Sequence, residues 1–387
     1  MDLLSGLINY GGTTLTYVLP FLFVLTIIVF FHELGHFMVA RWAGISVETF
    51  SVGFGREIFG FTDSKQTRWK FSWIPLGGYV KFLGDENAAS MPDRETLEEM
   101  PEAERKGSFY HASVGRRSAV VVAGPVANFL LSIVIFALLF MIVGRTEVVP
   151  IVGKVHEESA AQAAGFQSGD VVRSIDGAAI EQFTDIQRIV QVKADTTLKI
   201  VVERNGELVT LTATPTLTER TDSFGNKHRI GLLGIAPAQG EGSATLRHYG
   251  PVSAVWLGVE ETWFAGTSLL GYLRDVIVGR QDANQIGGPL RIAQISGQSF
   301  QISVAAMFNL AAILSVTIGL INLFPIPMLD GGHLLYYGIE AVRGRPLSDR
   351  MQDVGFRVGI ALVLALMLFA TWNDLAHFNN LLTGGNG

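Results

Sequence analysis

Four long apolar stretches constrain the fold of this chain more than any other feature of its sequence. They cover residues 14–40, 118–144, 304–339 and 355–372. A helix needs about 20 apolar residues to cross a bilayer, and each stretch except the last is longer than this. The third is interrupted by Pro325, Pro327 and the pair Gly331 and Gly332. Since 49% of the 387 residues are hydrophobic and 17% are charged, we expect a multi-span α-helical membrane protein with four transmembrane helices.

The direction of the four spans follows from the flanking charges. Residues 1–14 contain no lysine or arginine, and the first stretch lacks a small-residue cleavage site, so we interpret it as a retained helix. Lysine and arginine flank the membrane in the loops after the first and third stretches, which indicates that these loops are cytosolic. Both termini and the segment 145–300 are then expected outside. Binding to nucleic acid would require a clustered basic surface. The sequence does not indicate one, so nucleic acid is not an expected partner.

The first stretch ends in the sequence His-Glu-Leu-Gly-His. On a helix, His32 and His36 lie on one face, so both imidazoles can reach one ion. Zinc accepts two nitrogens and one carboxylate oxygen, and Glu33 can then act as the general base toward an acidified water. The chain has no cysteine, so any metal must be held by nitrogen and oxygen. By the helix rise the histidines lie roughly 8–14 Å from the cytosolic end at Arg41. The alternative is a structural pair of histidines with Glu33 in a salt bridge.

The stretch Asn-Leu-Phe-Pro-Ile-Pro-Met-Leu-Asp-Gly-Gly-His supplies a carboxylate at a similar depth. Its prolines break the helix and its glycines allow a bend or a close approach, and irregular backbone at this depth lines a cavity or is buried in protein. Asp330 is therefore the expected third metal ligand, with His333 as a competing candidate. Asn322 could bind a substrate carbonyl or a developing oxyanion, or instead hydrogen-bond a neighbouring helix.

Three motifs together resemble the bacterial site-2 protease family, and within it the type of the regulator of sigma-E protease (RseP). They are HELGH at 32–36, AGPVANF at 123–129 and NLFPIPMLDGGH at 322–333. The resemblance implies Zn²⁺ on His32, His36 and Asp330, Glu33 as general base, and Asn322 in substrate binding. It also implies an intramembrane zinc endopeptidase of the bacterial inner membrane. Such enzymes cleave the transmembrane segments of single-span membrane proteins, such as anti-sigma factors or remnant signal peptides.

A membrane-associated β hairpin is predicted after the first span. Trp69, Phe71 and Trp73 alternate with polar residues, which is a period of two. An exposed strand edge there could hold an unwound substrate by strand addition, or the hairpin could merely pack on the helices. The residues expected to bind substrate are Gly53, Phe54 and Gly55. Residues 84–112 are predicted to form a solvated loop with a short helix around 94–105.

The external segment resembles a single PDZ domain at residues 148–237. Its predicted order is a strand, a short helix, a strand, an amphipathic helix starting near Phe183, and a hairpin turning at Asn205 and Gly206. The binding groove is expected along Ile151, Val152 and Gly153, where a peptide or protein C-terminus would add as a strand. The regulator of sigma-E protease type has two such domains, so this chain departs from it. Residues 238–303 are predicted to place amphipathic helices at the outer surface of the lipid bilayer.

The predicted organisation thus has six parts, and two other functions stay open. The parts are residues 1–45 with the first span and HELGH, 46–117 with the hairpin and loop, 118–144 with the second span, 148–237 with the PDZ domain, 238–303 as an amphipathic linker, and 304–387 with the last two spans. A metal transporter would need a polar path through the outer halves of the spans, which are apolar. A membrane-tethered PDZ adaptor with a structural metal leaves Glu33 without a role.

Overall fold

A computed structural model describes residues 2–85, 94–221, 227–240, 242–283 and 286–382. The helices are α1 (Asp2–Trp42), α2 (Arg94–Glu99), α3 (Glu102–Arg105), α4 (Val114–Ile142), α5 (Ala160–Ala163), α6 (Phe183–Val192), α7 (Pro251–Ile277), α8 (Pro289–Ile302), α9 (Val304–Asn322), α10 (Asp330–Arg343) and α11 (Asp349–Leu382). The strands are β1 (Val47–Thr62), β2 (Arg68–Phe82), β3 (Arg145–Val148), β4 (Val152–Val155), β5 (Val171–Ile175), β6 (Ala178–Ala179), β7 (Leu198–Arg204), β8 (Glu207–Ala213), β9 (Thr216–Thr221), β10 (Lys227–Leu232), β11 (Ile235–Pro237) and β12 (Ala244–Arg247).

The chain divides into two compact units, and the first contains the membrane helices. This unit comprises residues 1–137, 255–266 and 286–387. Four helices in the described part of the chain are long and apolar enough to span a membrane, as predicted. They are Leu15–Trp42, Val114–Ile142, Val304–Asn322 and Arg350–Asn379. Helix α7 is not among them.

The third predicted span is two separate helices. Helix α9 ends at Asn322 and α10 begins at Asp330, so the expected interruption is confirmed but the span does not reach residue 339. The prolines account for the break, because Pro325 and Pro327 cannot donate the hydrogen bonds of a continuing helix. Met328 in this turn has a φ of 86°, a left-handed conformation that is uncommon for a residue with a side chain.

The predicted hairpin is present as β1 and β2, which pair antiparallel. Its middle is sharply folded, so that Phe50 lies opposite both Trp69 and Val80. Phe50 and Val80 are buried in a cluster that includes Phe37 of α1. This cluster fixes the hairpin against the C-terminal half of the HELGH helix. Other apolar side chains of the hairpin are exposed, including Ile58, Phe59, Phe61, Trp73, Ile74 and Leu76.

The C-terminal part of α11 is joined to α8 by one buried carboxylate. Asp374 is fully buried and accepts hydrogen bonds from the backbone N–H groups of Gly288 at 2.8 Å, Leu290 at 3.0 Å and Arg291 at 3.2 Å. These N–H groups have no partner within α8 because they begin it. The last transmembrane helix therefore caps α8.

The second unit, residues 138–254 and 267–285, contains the predicted PDZ region. It has a four-stranded sheet in the order β6-β5-β7-β8, with α6 packed into the same core through Phe183 and Ile186. The strands β7 and β8 form the hairpin expected at Asn205 and Gly206.

The predicted helix around 94–105, in the first unit, is present as the two short helices α2 and α3.

The groove expected on β4 conflicts with the hydrogen bonds of the second unit. Val152 N–H donates to Asp170 O, and Val152 O accepts from Gly169 N–H. On the other side, β4 pairs with β11 through Val152 and Pro237. Both edges of the strand at Ile151, Val152 and Gly153 are thus occupied. We therefore do not retain these three residues as a peptide-binding edge, since strand addition needs a free one.

Candidate metal centre

The two histidines of α1 converge as their spacing predicts. His32 and His36 are 8% and 9% exposed, and their Nε2 atoms lie 3.2 Å apart. Residues four apart on a helix stack on one face, which explains why the rings meet edge to face. Two unprotonated ring nitrogens at this distance repel each other unless a cation lies between them.

Asp330 completes the cluster from the start of α10. Its Oδ2 atom lies 3.2 Å from Nε2 of His32, and its Oδ1 atom lies 3.6 Å from Nε2 of His36. One potential ligand atom from each of the three residues falls within 4.8 Å of the others. Gly331 and Gly332 make this placement possible, because a Cβ at either would overlap the preceding turn, for example Ile326 O at 2.4 Å from position 332.

The donor set fits a zinc ion. His36 Nδ1 lies 2.8 Å from the carbonyl oxygen of Val120, which can only accept, so the proton sits on Nδ1 and Nε2 offers its lone pair. The buried Oδ2 of Asp330 has no hydrogen-bond partner among the described residues. Two nitrogens and a carboxylate with an open fourth position are typical of catalytic zinc sites. His333 is not part of the cluster that the geometry allows.

Helix α4 lies directly behind the imidazoles. A Cβ at Gly124 would overlap the His36 ring and lie 2.9 Å from Cε1 of His32. A further contact joins Asn128, which is fully buried, to Nδ1 of His32 at 3.3 Å. The sequence analysis used Gly124 and Asn128 only as part of the family motif AGPVANF and assigned neither residue a role. The four-residue spacing of Val120, Gly124 and Asn128 was the available signal, since it places them on one face of a helix.

Glu33 lies next to the hairpin as well as next to the ligand cluster. The backbone N–H of Val80 interacts with its carboxyl group, and a Cβ at Gly78 would lie 3.3 Å from its Cγ atom. The edge of the hairpin at residues 76–80 is therefore next to the predicted general base. Sequence reasoning had placed the substrate-binding residues on β1. The pair Gly77 and Gly78 in a strand was the missed signal, because strand glycines mark close approach of another backbone.

A cavity of about 1570 Å³ connects these groups. It is lined by His32, Glu33, His36 and Asp330 together with the hairpin residues Leu76, Gly77, Gly78, Tyr79 and Val80. Of the residues predicted to bind substrate, Phe54 and Asn322 line it, whereas Gly53 and Gly55 are not among its described lining residues. His333 also lines the cavity. The cavity is large enough to hold several residues of an extended peptide.

Part of the cavity lining outside the metal cluster is polar. Arg117 of α4 and Glu340 of α10 form an ion pair at 2.6 Å, and both residues line the cavity. Tyr110, also on the lining, donates from its hydroxyl to Oδ1 of Asp85 at 2.8 Å. Burial raises the pKa of Asp85 to about 7, although hydrogen bonds from Phe82 N–H and Tyr110 oppose the shift.

Comparison with known proteins identifies the family. The model of peptidase family M50 matches residues 20–366. A protein of Rhizobium meliloti named as a zinc metalloprotease is 50% identical over 362 residues, which are 93% of this chain and 97% of that protein. A protein of Agrobacterium fabrum that is also named as a zinc metalloprotease is 49% identical over 360 residues, which are 93% of this chain and 96% of that protein. Metalloprotease MmpA of Caulobacter vibrioides is 39% identical over 380 residues, covering 92% and 95%. The chain belongs to peptidase family M50, the site-2 proteases, and is a membrane-embedded zinc metallopeptidase.

Proposed function

We propose that this protein cleaves peptide bonds within the transmembrane segments of single-span membrane proteins. The observation that carries the proposal is the convergence of His32, His36 and Asp330 beside Glu33 in one cavity. The histidines lie within a membrane-spanning helix, where ionisable groups are costly unless they serve a function. Anti-sigma factors and remnant signal peptides are the substrate classes that the family resemblance favours.

The proposed chemistry divides between the metal and Glu33. When bound, zinc supplies the positive charge that makes water acidic and stabilises negative charge on a carbonyl oxygen. The Glu33 carboxylate takes the proton from the attacking water and delivers it to the leaving amine. Asn322 lines the cavity, and its amide would donate to the scissile carbonyl.

The hairpin is proposed to hold the substrate as an extended strand. A transmembrane helix hides its peptide bonds in its own hydrogen bonds, so it must unwind before water can attack. At 78–80 one edge of β2 pairs with β1, and the other has no strand partner among the described residues. That free edge lines the cavity next to Glu33. A substrate strand added there would pass the metal cluster.

Replacing Glu33 with Gln tests the proposal. The variant keeps the size of the side chain but cannot accept a proton, so we expect cleavage of a co-expressed single-span substrate to fall at least about 100-fold. Zinc content should stay near one ion per chain because Glu33 is not a ligand. His36→Ala serves as the matched control, which should lose both zinc and cleavage. Full activity of Glu33→Gln would refute the assignment.

We further propose that the second unit is a PDZ domain and that it lies outside the inner membrane. The order of strands and helices in this unit supports the fold, and Gly231 packs closely on Val190 and Ala194 at the end of α6. A peptide C-terminus would then dock beside α6. The basic loops after the first and third predicted spans support periplasmic termini and a metal site toward the cytosol. A periplasm-specific reporter inserted within 148–237 tests the orientation, and a signal only from a cytosol-specific reporter would contradict it.

A further inference from the structure

Helix α4 approaches each zinc-binding imidazole from behind with a different group. The residues Val120, Gly124 and Asn128 are spaced by four, so they lie on one face of α4. Val120 O accepts from Nδ1 of His36 at 2.8 Å. Gly124 lies against both rings, and the side-chain amide of Asn128 lies 3.3 Å from Nδ1 of His32. The motif AGPVANF therefore lies directly behind the two proposed histidine ligands.

The contact at His32 carries a conflict that the contact at His36 does not. The Asn128 atom that faces Nδ1 of His32 is the amide nitrogen, Nδ2, which can only donate. An imidazole that accepts at Nδ1 carries its proton on Nε2, and Nε2 of His32 points into the ligand cluster. At the same time Oδ1 of Asn128 is buried without a hydrogen-bond partner among the described residues. An orphaned buried acceptor costs about 1–3 kcal/mol.

We propose that Asn128 is a positioning residue that fixes the metal-binding tautomer of His32. A half-turn of the amide about its Cβ–Cγ bond exchanges Oδ1 and Nδ2. Oδ1 then accepts the Nδ1–H of His32, the orphaned acceptor is satisfied, and Nε2 presents its lone pair to zinc. The inference rests on the ligand set described above. It assigns Asn128 the task that Val120 O performs for His36, in agreement with the general use of a second hydrogen bond to orient ligating histidines.

Asn128 is held firmly enough to perform this task. Its side chain is fully buried, and its backbone carbonyl accepts from the Ser315 hydroxyl of α9 at 2.8 Å. Helix α9 also packs closely here, because a Cβ at Gly319 would lie 3.1 Å from Cβ of Asn128. The Asn128 side chain therefore has little freedom apart from rotation of its amide. A fixed acceptor favours one ring orientation at His32, which a mobile one would not.

Zinc affinity of the full-length protein in detergent micelles tests the proposal. Zinc is removed with a chelator, and its affinity is then measured by competition with a chelating dye. Asn128→Leu has a similar size but no acceptor, and we expect it to bind zinc about 10- to 100-fold more weakly. Asn128→Asp keeps an acceptor oxygen in either protonation state, and its affinity should match the wild-type protein. Equal weakening in both variants, or wild-type affinity in Asn128→Leu, would overturn the proposal.

Two further variants separate this effect from general damage. Ser132 is buried on the same helix and accepts from Thr262 at 3.1 Å, so Ser132→Ala removes a buried hydrogen bond without touching a histidine. Its zinc affinity should be unchanged, and a loss as large as that of Asn128→Leu would refute a specific role for Asn128. His36→Ala must lose zinc. Retention of zinc there would refute the ligand set itself, whereas failure of the Asn128 pair alone would leave that set intact.

Discussion

The most direct test of the candidate metal centre is the variant Gly124→Ala, which adds one methyl group to α4. Gly124 lies against both imidazoles, and a Cβ at this position would lie 2.9 Å from Cε1 of His32, where ordinary contact begins at 3.4 Å. The same Cβ would overlap Cε1 and Nε2 of His36. Alanine favours a helix by about 1 kcal/mol over glycine. Any harm from Gly124→Ala must therefore come from the displaced rings.

The size of the effect follows from these distances. Relieving the contact requires His32 to move by at least about 0.5 Å, which is the tolerance of a working catalytic site. His36 must move further. Because a misplacement of about 1 Å can cost about 100-fold in rate, we expect cleavage by Gly124→Ala to fall at least about 100-fold. Zinc affinity should fall about 10-fold or more, since both nitrogens leave their positions.

A matched glycine on the same helix provides the control. A Cβ at Gly115 would meet nothing within 4 Å, so Gly115→Ala should keep wild-type zinc affinity and activity. Both variants are compared by chelator competition and by cleavage of a single-span substrate in reconstituted vesicles. Wild-type affinity and rate in Gly124→Ala would refute the packing argument. A loss in Gly115→Ala equal to that in Gly124→Ala would do so as well.

Three other expectations concern the hairpin, a buried carboxyl group and the second unit. The chain has no native cysteine, so Leu76→Cys in the Glu33→Gln background should form disulfides with alternate positions of single-cysteine substrates, whereas Trp73→Cys should not; equal yields at every position would contradict strand addition. Asp85→Asn should remove a pH dependence. Because the folded-state pKa of about 7 exceeds the unfolded value, the wild-type protein loses about 2 kcal/mol of stability as pH rises from about 5 to about 7, and the loss levels off within about one pH unit above that. Melting temperatures of both proteins, measured across this pH range, check the prediction. The same pH dependence in both proteins would refute it. Deleting residues 148–237 should widen substrate choice, measured with intact and pre-cleaved substrates, and an inactive but zinc-loaded deletion would contradict this.

The sequence was informative about the candidate metal centre because the signals for its proposed ligands lie in short stretches of the chain. His32 and His36 share one helical face by spacing alone, and the prolines and glycines near Asp330 mark where the third helix breaks. The apolar stretches predicted the membrane helices for the same reason. Each inference needed only neighbours in the chain and one physical rule.

The parts that escaped prediction depend on distant residues. Nothing near His36 in the sequence indicates that Val120 O holds its ring, since 84 residues separate them. The fold in the middle of the hairpin moves the free edge from β1 to residues 76–80, which no alternation pattern reveals. Likewise, the pairing of Val152 with Asp170 and Pro237 closes a strand that its own sequence presents as open.

The division of the centre between α1, α4 and α10 has a consequence for biosynthesis. A chain under synthesis displays His32 and His36 early, but Asp330 emerges only after the hairpin, the second span and the second unit have been made. Until then the site lacks its carboxylate, and until α4 is inserted the imidazoles lack their supports. On the proposed ligand set, we therefore expect no cleavage before α10 has been made. A centre divided in this way would be complete only when most of the chain is in place, so other nascent membrane segments would be spared until then.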